Sequence, residues 1–327
     1  MAKTTHGLSS DYQLQVLLTM RDSISIAIPT YGRDQELIDT VQALLDLSNR
    51  ADEILVVDQT SEHTSGCHRQ LDEWASQAQI HWIRRKQPSI TQAMNCALQT
   101  SQSSLVLFLD DDIVPYPEIV SGHLKCHKDQ TQIWASVGQV IQPWQRPDPI
   151  APTRKMRGLQ RDFDFPFHST LASSVENVMA GNLCVRREKA IEIGGFDENY
   201  IGSAYRFETD FARRLIAAGG SIYFCPHARI DHLRSPRGGT RQTGSHLTSA
   251  DPKHGIGDHY YALRHGRGIG RWAYIARRMI REVATKFHLT HPWWIPVKMC
   301  GEIRAILGAY QLSRHSPQLM SHQSRTD

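Results

Sequence analysis

Six cysteines, at 67, 96, 126, 184, 225 and 300, are scattered through 327 residues, and no two form a C-x-x-C pair. That spacing argues against a disulfide framework or a cysteine-based structural zinc site and fits a reducing compartment. No stretch approaches the roughly 18 uncharged apolar residues that a membrane span requires. The apolar patch Val16-Leu17-Leu18 is short and follows Gln13 and Gln15, so no secretory leader is expected. Neither G-x-G-x-x-G nor G-x-x-x-x-G-K-[ST] occurs, so a dinucleotide fingerprint and a P-loop are both excluded as phosphate sites. Repeats and low-complexity segments are also absent. What remains is an ordinary globular composition, 40% hydrophobic and 21% charged with a net charge of +4. The length suits one large α/β domain with an appendage, or two domains.

The most informative stretch is Leu105-Val-Leu-Phe-Leu-Asp-Asp-Asp-Ile113. Its apolar run reads as a strand buried on both faces, the mark of a parallel sheet. Ligands of open α/β sheets bind just beyond the carboxyl ends of such strands. Three adjacent carboxylates there repel one another unless something positive sits among them. A hard divalent cation with oxygen ligands answers that need. A solvated acidic turn capping the next helix is the plainer alternative. In extended backbone Asp110 and Asp112 point one way and Asp111 the other, so Asp111 is expected to be the most replaceable.

Earlier in the chain the same pattern repeats. Residues 1–22 read as a flexible or peripheral lead-in. Strands are expected at Ile24–Ile28, stopped by Pro29, at Glu53–Val57, ending at Asp58, and at Ile80–Ile83, followed by Arg84. Helices are expected to about Leu47, with Leu37, Val41, Leu44 and Leu45 inward, around 71–78, and from Pro88 through Ala97. This alternation predicts a mostly parallel sheet with helices on both faces. Pro29, Thr30, Asp58, Arg84 and the three acids then share one edge. A helix from Pro115 to about His127 and a strand over Ser136–Ile141 follow. Residues 143–167 are rich in proline, and their aromatics (Trp144, Phe163, Phe165, Phe167) suit either sugar stacking or a peripheral apolar patch.

Beyond this come a strand at Met179–Val185 with an early glycine, a helix at Phe207–Ala218, and strands Ser221–Phe224 and Ala228–His232. Phe207, Phe211 and Leu215 form the inward stripe of that helix. Glu208 lies in its first turn, where the helix dipole alone would favour a carboxylate.

Ile28-Pro-Thr-Tyr-Gly-Arg33, Val56-Val-Asp58, Phe108-Leu-Asp-Asp-Asp112, Ala180-Gly-Asn182, Gly194-Gly-Phe-Asp197 and Glu208-Thr-Asp210 stand in a recognisable order. The ordered set, spanning about residues 22–240, resembles a family 2 glycosyltransferase of the GT-A fold. Three positions depart from it: Gly32 stands where Asn is more common, Gln59 where a second Asp is frequent, and Glu208 where Asp is frequent.

The resemblance implies a GT-A domain over 23–241 and a metal-dependent, inverting sugar transfer. The donor would be a nucleotide diphosphate sugar and the acceptor a glycan or a lipid-linked sugar, with Mn²⁺ or Mg²⁺ as cofactor. Glu208 matches the catalytic base. Asp112 and His232 match metal ligands, although a lone His is by itself as readily a plain surface or core residue. Asp58 would bind the nucleoside, Arg84 the base or phosphate, and Asp110 the ribose. Pro29, Tyr31, Arg33 and Asp111 would line the donor site, and Gly181 and Asn182 would lie beside the sugar. Arg237 and Arg241, in the loop Arg234-Ser-Pro-Arg-Gly-Gly-Thr-Arg241, could close on the diphosphate with Gly238-Gly239 as hinge, or form a solvated basic loop.

The C-terminal region, 242–327, is basic and helical in pattern. From Arg264 to Arg304 it holds nine Lys or Arg against two acids, Glu282 and Glu302. Trp272, Ala276, Met279, Ile280, Val283 and Phe287 form an apolar stripe, with Trp293-Trp294 beyond. Such a helix suits an anionic membrane surface, or packs its stripe on the main domain. Nothing points to nucleic acid, and the expected location is cytoplasmic, peripheral on the inner face of the membrane. Two rivals stand: a binding homologue without turnover, and a haloacid-dehalogenase-type phosphatase, whose D-x-D-x-[TV] motif Asp110–Val114 fits. The phosphatase motif belongs on a first strand, whereas three strands precede it here.

Overall fold

A computed structural model describes residues 22–151, 158–235, 238–239 and 245–320. The expected lead-in falls almost wholly outside these residues, as do Arg237, Arg241 and the boundary placed at 241/242.

The core is a nine-stranded sheet. Strands β1 (Ile24–Thr30), β2 (Glu53–Asp58), β3 (His81–Arg84) and β4 (Leu105–Leu109) pair in parallel in the order β3-β2-β1-β4. Every residue of β4 is buried. Each such apolar side chain contributes roughly 2 kcal/mol on burial, so this strand is well able to carry charge at its end. From β4 outward the sheet is mixed. Strand β8 (Asn182–Arg186) is antiparallel to both β4 and β6 (Ile133–Ile141). Strand β6 runs parallel to β9 (Ser221–His232). The short strands β5 (Ile113–Pro115) and β7 (Ser173–Val175) both pair antiparallel with β9. Among the described strands, parallel pairing is confined to the first four and the β6–β9 pair, with one isolated parallel bridge between Asp148 and Ser169.

Helices α1 (Gln35–Leu45), α2 (Ser65–Ser76), α3 (Ile90–Thr100), α4 (Ile119–Asp129), α5 (Arg187–Glu192) and α6 (Phe207–Ala217) flank the sheet. Several boundaries differ from the sequence expectation: α3 starts at Ile90 behind its Ser89 cap and not at Pro88, α4 starts at Ile119 because Pro115 belongs to β5, and three further differences have local reasons. Strand β1 runs on through Pro29, because its pairing with β4 ends at Ala27 and Pro29 has only β2 beside it. Helix α2 starts at Ser65, six residues before the expected 71, because the Thr64 side chain caps it. Strand β9 is continuous where two strands were expected, with a register shift against β6 taking up the irregularity.

The C-terminal helices α7 (Ile256–His265), α8 (Gly268–Val283), α9 (Lys286–Thr290) and α10 (Ile295–Ser313) pack on this domain. Tyr260, Tyr261 and Ala305 are fully buried in the same apolar cluster as the sheet. A buried ionic network holds the helices together. Arg278 reaches Asp258 at 2.6 Å and Glu302 at 3.1 Å, and Lys298 reaches Glu302 at 3.1 Å and Glu282 at 3.2 Å. The network continues toward the sheet, where Arg206, next to α6, meets Asp258 at 3.2 Å.

This network decides which face of α8 turns inward. Tyr274, Ile275 and Arg278 are buried, whereas Trp272 and Ile280 of the expected apolar stripe are 57% and 65% exposed. The stripe therefore divides: Met279 packs against the core and Val283 and Phe287 are half-buried, while Trp272, Ala276 and Ile280 face outward.

Burial alone would raise the Glu302 carboxyl, but the His259 hydrogen bond and the Arg278 and Lys298 charges outweigh it and hold it at about 2, against an ordinary 4.5. A carboxylate depressed in this way stabilises the fold above about pH 4.5, and that contribution is lost as pH falls toward 2. Glu302→Gln is expected to cost about 3 kcal/mol in urea unfolding at pH 7. The gap to the wild type should hold down to pH 5 and narrow below 4.5. A gap that does not change with pH would dismiss the charge as its cause.

Candidate active site

A cavity of about 670 Å³ opens at the carboxyl ends of β1 and β4. Pro29, Thr30, Tyr31, Arg33, Asp110, Asp111, Asp112, Gly181, Glu208 and His232 line it, so most of the expected site converges there.

Strand register brings the acids and the histidine together. The pairing of β5 with β9 sets His232 opposite Ile113, one residue beyond Asp112. His232 Nε2 then lies 3.4 Å from both Asp110 Oδ2 and Asp112 Oδ1. One ligand atom from each of these three residues falls within 4.8 Å of the others, which is the oxygen–nitrogen set a hard divalent cation accepts. Burial lowers the His232 pKa, but the two carboxylates outweigh it and the net shift is upward.

Arg33 supplies positive charge to the same place. Its guanidinium is 2.6 Å from Asp112 and 3.4 Å from Asp111. The Arg33 turn needs Gly32, whose φ of 67° lies in the left-handed region. Gly238 and Gly239 also have left-handed φ and pack against this turn, with the Gly239 N–H donating to the Tyr31 carbonyl at 2.7 Å. Ser235, just before them, donates its backbone N–H to Asp112 at 2.8 Å. The loop after β9 is thus fastened to the acid cluster, while its Arg237 and Arg241 lie outside the described residues.

Asp111 corrects one expectation. Its side chain is nearly sealed from solvent and accepts a 2.6 Å hydrogen bond from the Thr30 hydroxyl. Burial pushes it up to about 7 in spite of Arg33 and Thr30. Its burial and its partners Thr30 and Arg33 speak against the expectation that it is the most replaceable of the three.

Across the cavity, the Glu208 carboxylate accepts the Ala180 N–H at 2.6 Å. The next residue, Gly181, touches Asp110, and a Cβ there would collide with the Asp110 carboxylate. Two consecutive residues therefore link Glu208 to the acid cluster.

Three expected site residues stand back from the cavity. Asp58 is fully buried, and its carboxylate accepts hydrogen bonds from the Thr60 N–H at 2.8 Å, from His63 at 2.9 Å and from Trp82 at 2.9 Å. Arg84 braces the carbonyls of Thr60 and Ser61. Asn182 is fully buried, bonded to His123 at 2.9 Å and to the carbonyls of Gln139 and Ala228. Burial pushes His123 down to about 4, so the ring that holds Asn182 is neutral. Gln59, Gln142, Ser203, Arg234 and Ser235 line the cavity instead. Only Gln59 had a sequence signal, as the residue after a strand-ending acid. Asp34, His63 and Cys67 form a second potential ligand group. Burial and the nearby Asp34 push the Cys67 thiol up to about 12, away from the thiolate a metal needs.

The glycosyl transferase family 2 model matches residues 25–190, half of the chain. The chain belongs to that family. The phosphatase alternative falls with this assignment. Succinoglycan biosynthesis protein ExoM of Rhizobium meliloti is 27% identical over 215 residues, which is 63% of this chain and 65% of that protein. Two solved structures share the fold. GalNAc-T7, determined with UDP, GalNAc and Mn²⁺, matches with a TM-score of 0.53 at 16% identity, covering 91% of this chain and 59% of that one. TarS of S. aureus matches with a TM-score of 0.52 at 11% identity, covering 80% and 44%. The chain thus spans under two thirds of the length of each of these relatives.

Asp111→Ala is expected to lower stability by about 2–3 kcal/mol, since it leaves Arg33 and Thr30 under-partnered in a buried place. Asp110→Ala, whose side chain is 46% exposed, is expected to stay within about 0.5 kcal/mol of the wild type. Chemical unfolding of the two variants side by side decides the point, and equal losses would refute the distinction.

Proposed function

We propose that this glycosyltransferase moves a sugar, with inversion, from a nucleotide diphosphate sugar to a hydroxyl of a glycan or lipid-linked acceptor in cell-surface polysaccharide assembly. The observation that carries this reading is the Asp110–Asp112–His232 cluster facing Glu208 across one cavity. The name of the ExoM relative supports the polysaccharide setting.

Asp112 and His232, with Asp110 within reach, would hold Mn²⁺ or Mg²⁺, which as a Lewis acid would offset charge on the departing diphosphate. Asp110 is also the group proposed for the ribose. The turn of Pro29, Tyr31 and Arg33 would receive the nucleotide, with Arg33 free to exchange its carboxylate contacts for phosphate oxygens. Asp58 would act on the nucleoside indirectly, through Thr60, whose hydroxyl accepts the Gly32 N–H of the turn, with Arg84 bracing the Thr60 carbonyl. Gly181 would give the sugar close backbone approach, and Asn182 would hold that strand in place. Arg237 and Arg241 remain proposed diphosphate contacts from the loop. Glu208 would take the acceptor hydroxyl's proton as its oxygen attacks the anomeric carbon and the carbon–diphosphate bond breaks. The Ala180 N–H fixes the carboxylate that does this.

No helix among the described residues is long and apolar enough to cross a membrane. An anionic membrane surface is the partner proposed for the C-terminal helices. Exposed Ile269, Trp272 and Ile280 beside Arg267, Arg277 and Arg281 support it.

Nucleoside diphosphates with Mn²⁺ should raise the melting temperature by a few degrees, in line with about 2.7 kcal/mol at a hundredfold excess over Kd. No shift from any of UDP, GDP, dTDP and CDP would sink the donor assignment. Glu208→Gln should keep that shift while transfer falls about 10²–10⁴-fold. Transfer at the wild-type rate would remove Glu208 as base, and a wild type that binds donor but transfers to no acceptor would point to a binding homologue.

A further inference from the structure

A second cavity, of about 490 Å³, lies between the turn Gly158–Gln160, helix α6 and the α7–α8 junction. Arg213, Arg267, Arg277 and His265 line it, and no Asp or Glu does. Arg213 donates to the Gly158 carbonyl and lies over the Tyr261 ring at 5.4 Å, and Arg277 donates to Gln160 Oε1 at 2.9 Å. Both partners are neutral. Among the described residues, no carboxylate pairs with Arg213, Arg267 or Arg277. His265 differs, being tied to Asp210 at 2.8 Å. Three guanidinium groups gathered without a counter-charge repel one another, and an oxyanion among them relieves that repulsion. Planar guanidinium donors match phosphate oxygens in particular. Leu159, Ala273 and Tyr274 give the same cavity an apolar part.

Helical spacing places this cavity beside a second feature. Residues at 100° per step set Gly270, Ala273 and Arg277 in a stripe between two others. On one side lies the buried stripe of Tyr274 and Arg278. On the other lie Ile269, Trp272, Ala276 and Ile280, with Ile269 88% exposed. A cationic cavity therefore opens along the edge of an exposed apolar helix face, the arrangement that a phosphate at the boundary of an apolar phase would meet.

We propose that this cavity binds the phosphate headgroup of an anionic membrane lipid, while the stripe of Ile269, Trp272, Ala276 and Ile280 rests in the headgroup region. The inference deepens the anionic-surface part of the proposed function and is independent of the sugar-transfer part. Headgroup contact with Arg213 bears on α6 five residues beyond Glu208, so the lipid site and the base share one helix.

The test is flotation of the full chain with phosphatidylcholine vesicles, with and without phosphatidylglycerol. The wild type is compared with Arg267→Gln/Arg277→Gln and with a charge-matched control, Arg50→Gln/Lys128→Gln, which alters exposed residues away from the cavity. The wild type should float only with the anionic vesicles. The cavity variant should lose about fivefold per arginine, roughly 25-fold in all, and the control should not. Nucleoside diphosphate with Mn²⁺ should still raise the melting temperature of the cavity variant, which separates this site from the donor site and verifies folding. Equal loss in both variants would reduce the effect to net charge and overturn the cavity. Binding lost in Trp272→Ser/Ile280→Ser but kept in the cavity variant would leave the apolar face standing and overturn the headgroup pocket. Failure of the wild type to float with any vesicle would overturn both, and leave the donor reading to its own experiment. Glycerol phosphate that raises the wild-type melting temperature but not the cavity variant's, without vesicle binding, would replace the lipid with a soluble phosphate.

Discussion

Three carboxylates at the end of a fully buried strand must be neutralised, and most of the architecture around the cavity follows from how this is done. Asp111 turns into the protein and is held by Thr30 and Arg33. Asp112 is shared among Arg33, His232 and the Ser235 backbone. Asp110 keeps partial exposure and faces His232. The β1 turn, the β5–β9 pairing and the loop after β9 are all drawn to one point. A divalent cation entering there would compete with Arg33 for Asp112, leaving the guanidinium to find other oxygens. The Arg33 guanidinium thus already balances Asp111 and Asp112 at the cavity.

The legible parts of the sequence were those with a local signature. The apolar run 105–109, the strand ends at Asp58 and Asp110–Asp112, and the helix of Glu208 each follow from short-range pattern and the rule that ligands gather at strand carboxyl ends. Contacts set by distant register were not legible from residues alone. His232 reaches the acids only because β9 pairs with β5, and the resemblance to a family suggested it where periodicity could not. Asp58 looked like a ligand group from its strand-end position. Its place beneath His63 and Trp82 depends on a loop and a neighbouring strand that show no motif. The burial of Asp111 was not legible, because alternation along an extended strand says which way a side chain points, and says nothing about what waits on the far side.

The C-terminal helices show a different limit. Apolar periodicity grouped Trp272, Ala276 and Ile280, which face outward, with Met279, which packs on the core, and an ionic contact fixes the orientation of α8. Arg278 turns inward because Asp258 and Glu302 meet it there, from helices before and after its own. Hydrophobic pattern finds the faces of a helix, whereas partners far along the chain choose which face is buried. The same network runs through Arg206 to the start of α6, so the region beyond residue 242 helps to seat the first turn that bears Glu208.

Ala180 and Gly181 touch Glu208 and Asp110 in succession. The chain therefore cannot shift one of these two acids without dragging the other along. At 181 only glycine fits beside the Asp110 carboxylate, whereas at 180 any residue that keeps a backbone N–H would serve. A substitution at 181 would therefore be felt at the acid cluster before it was felt anywhere else in the cavity.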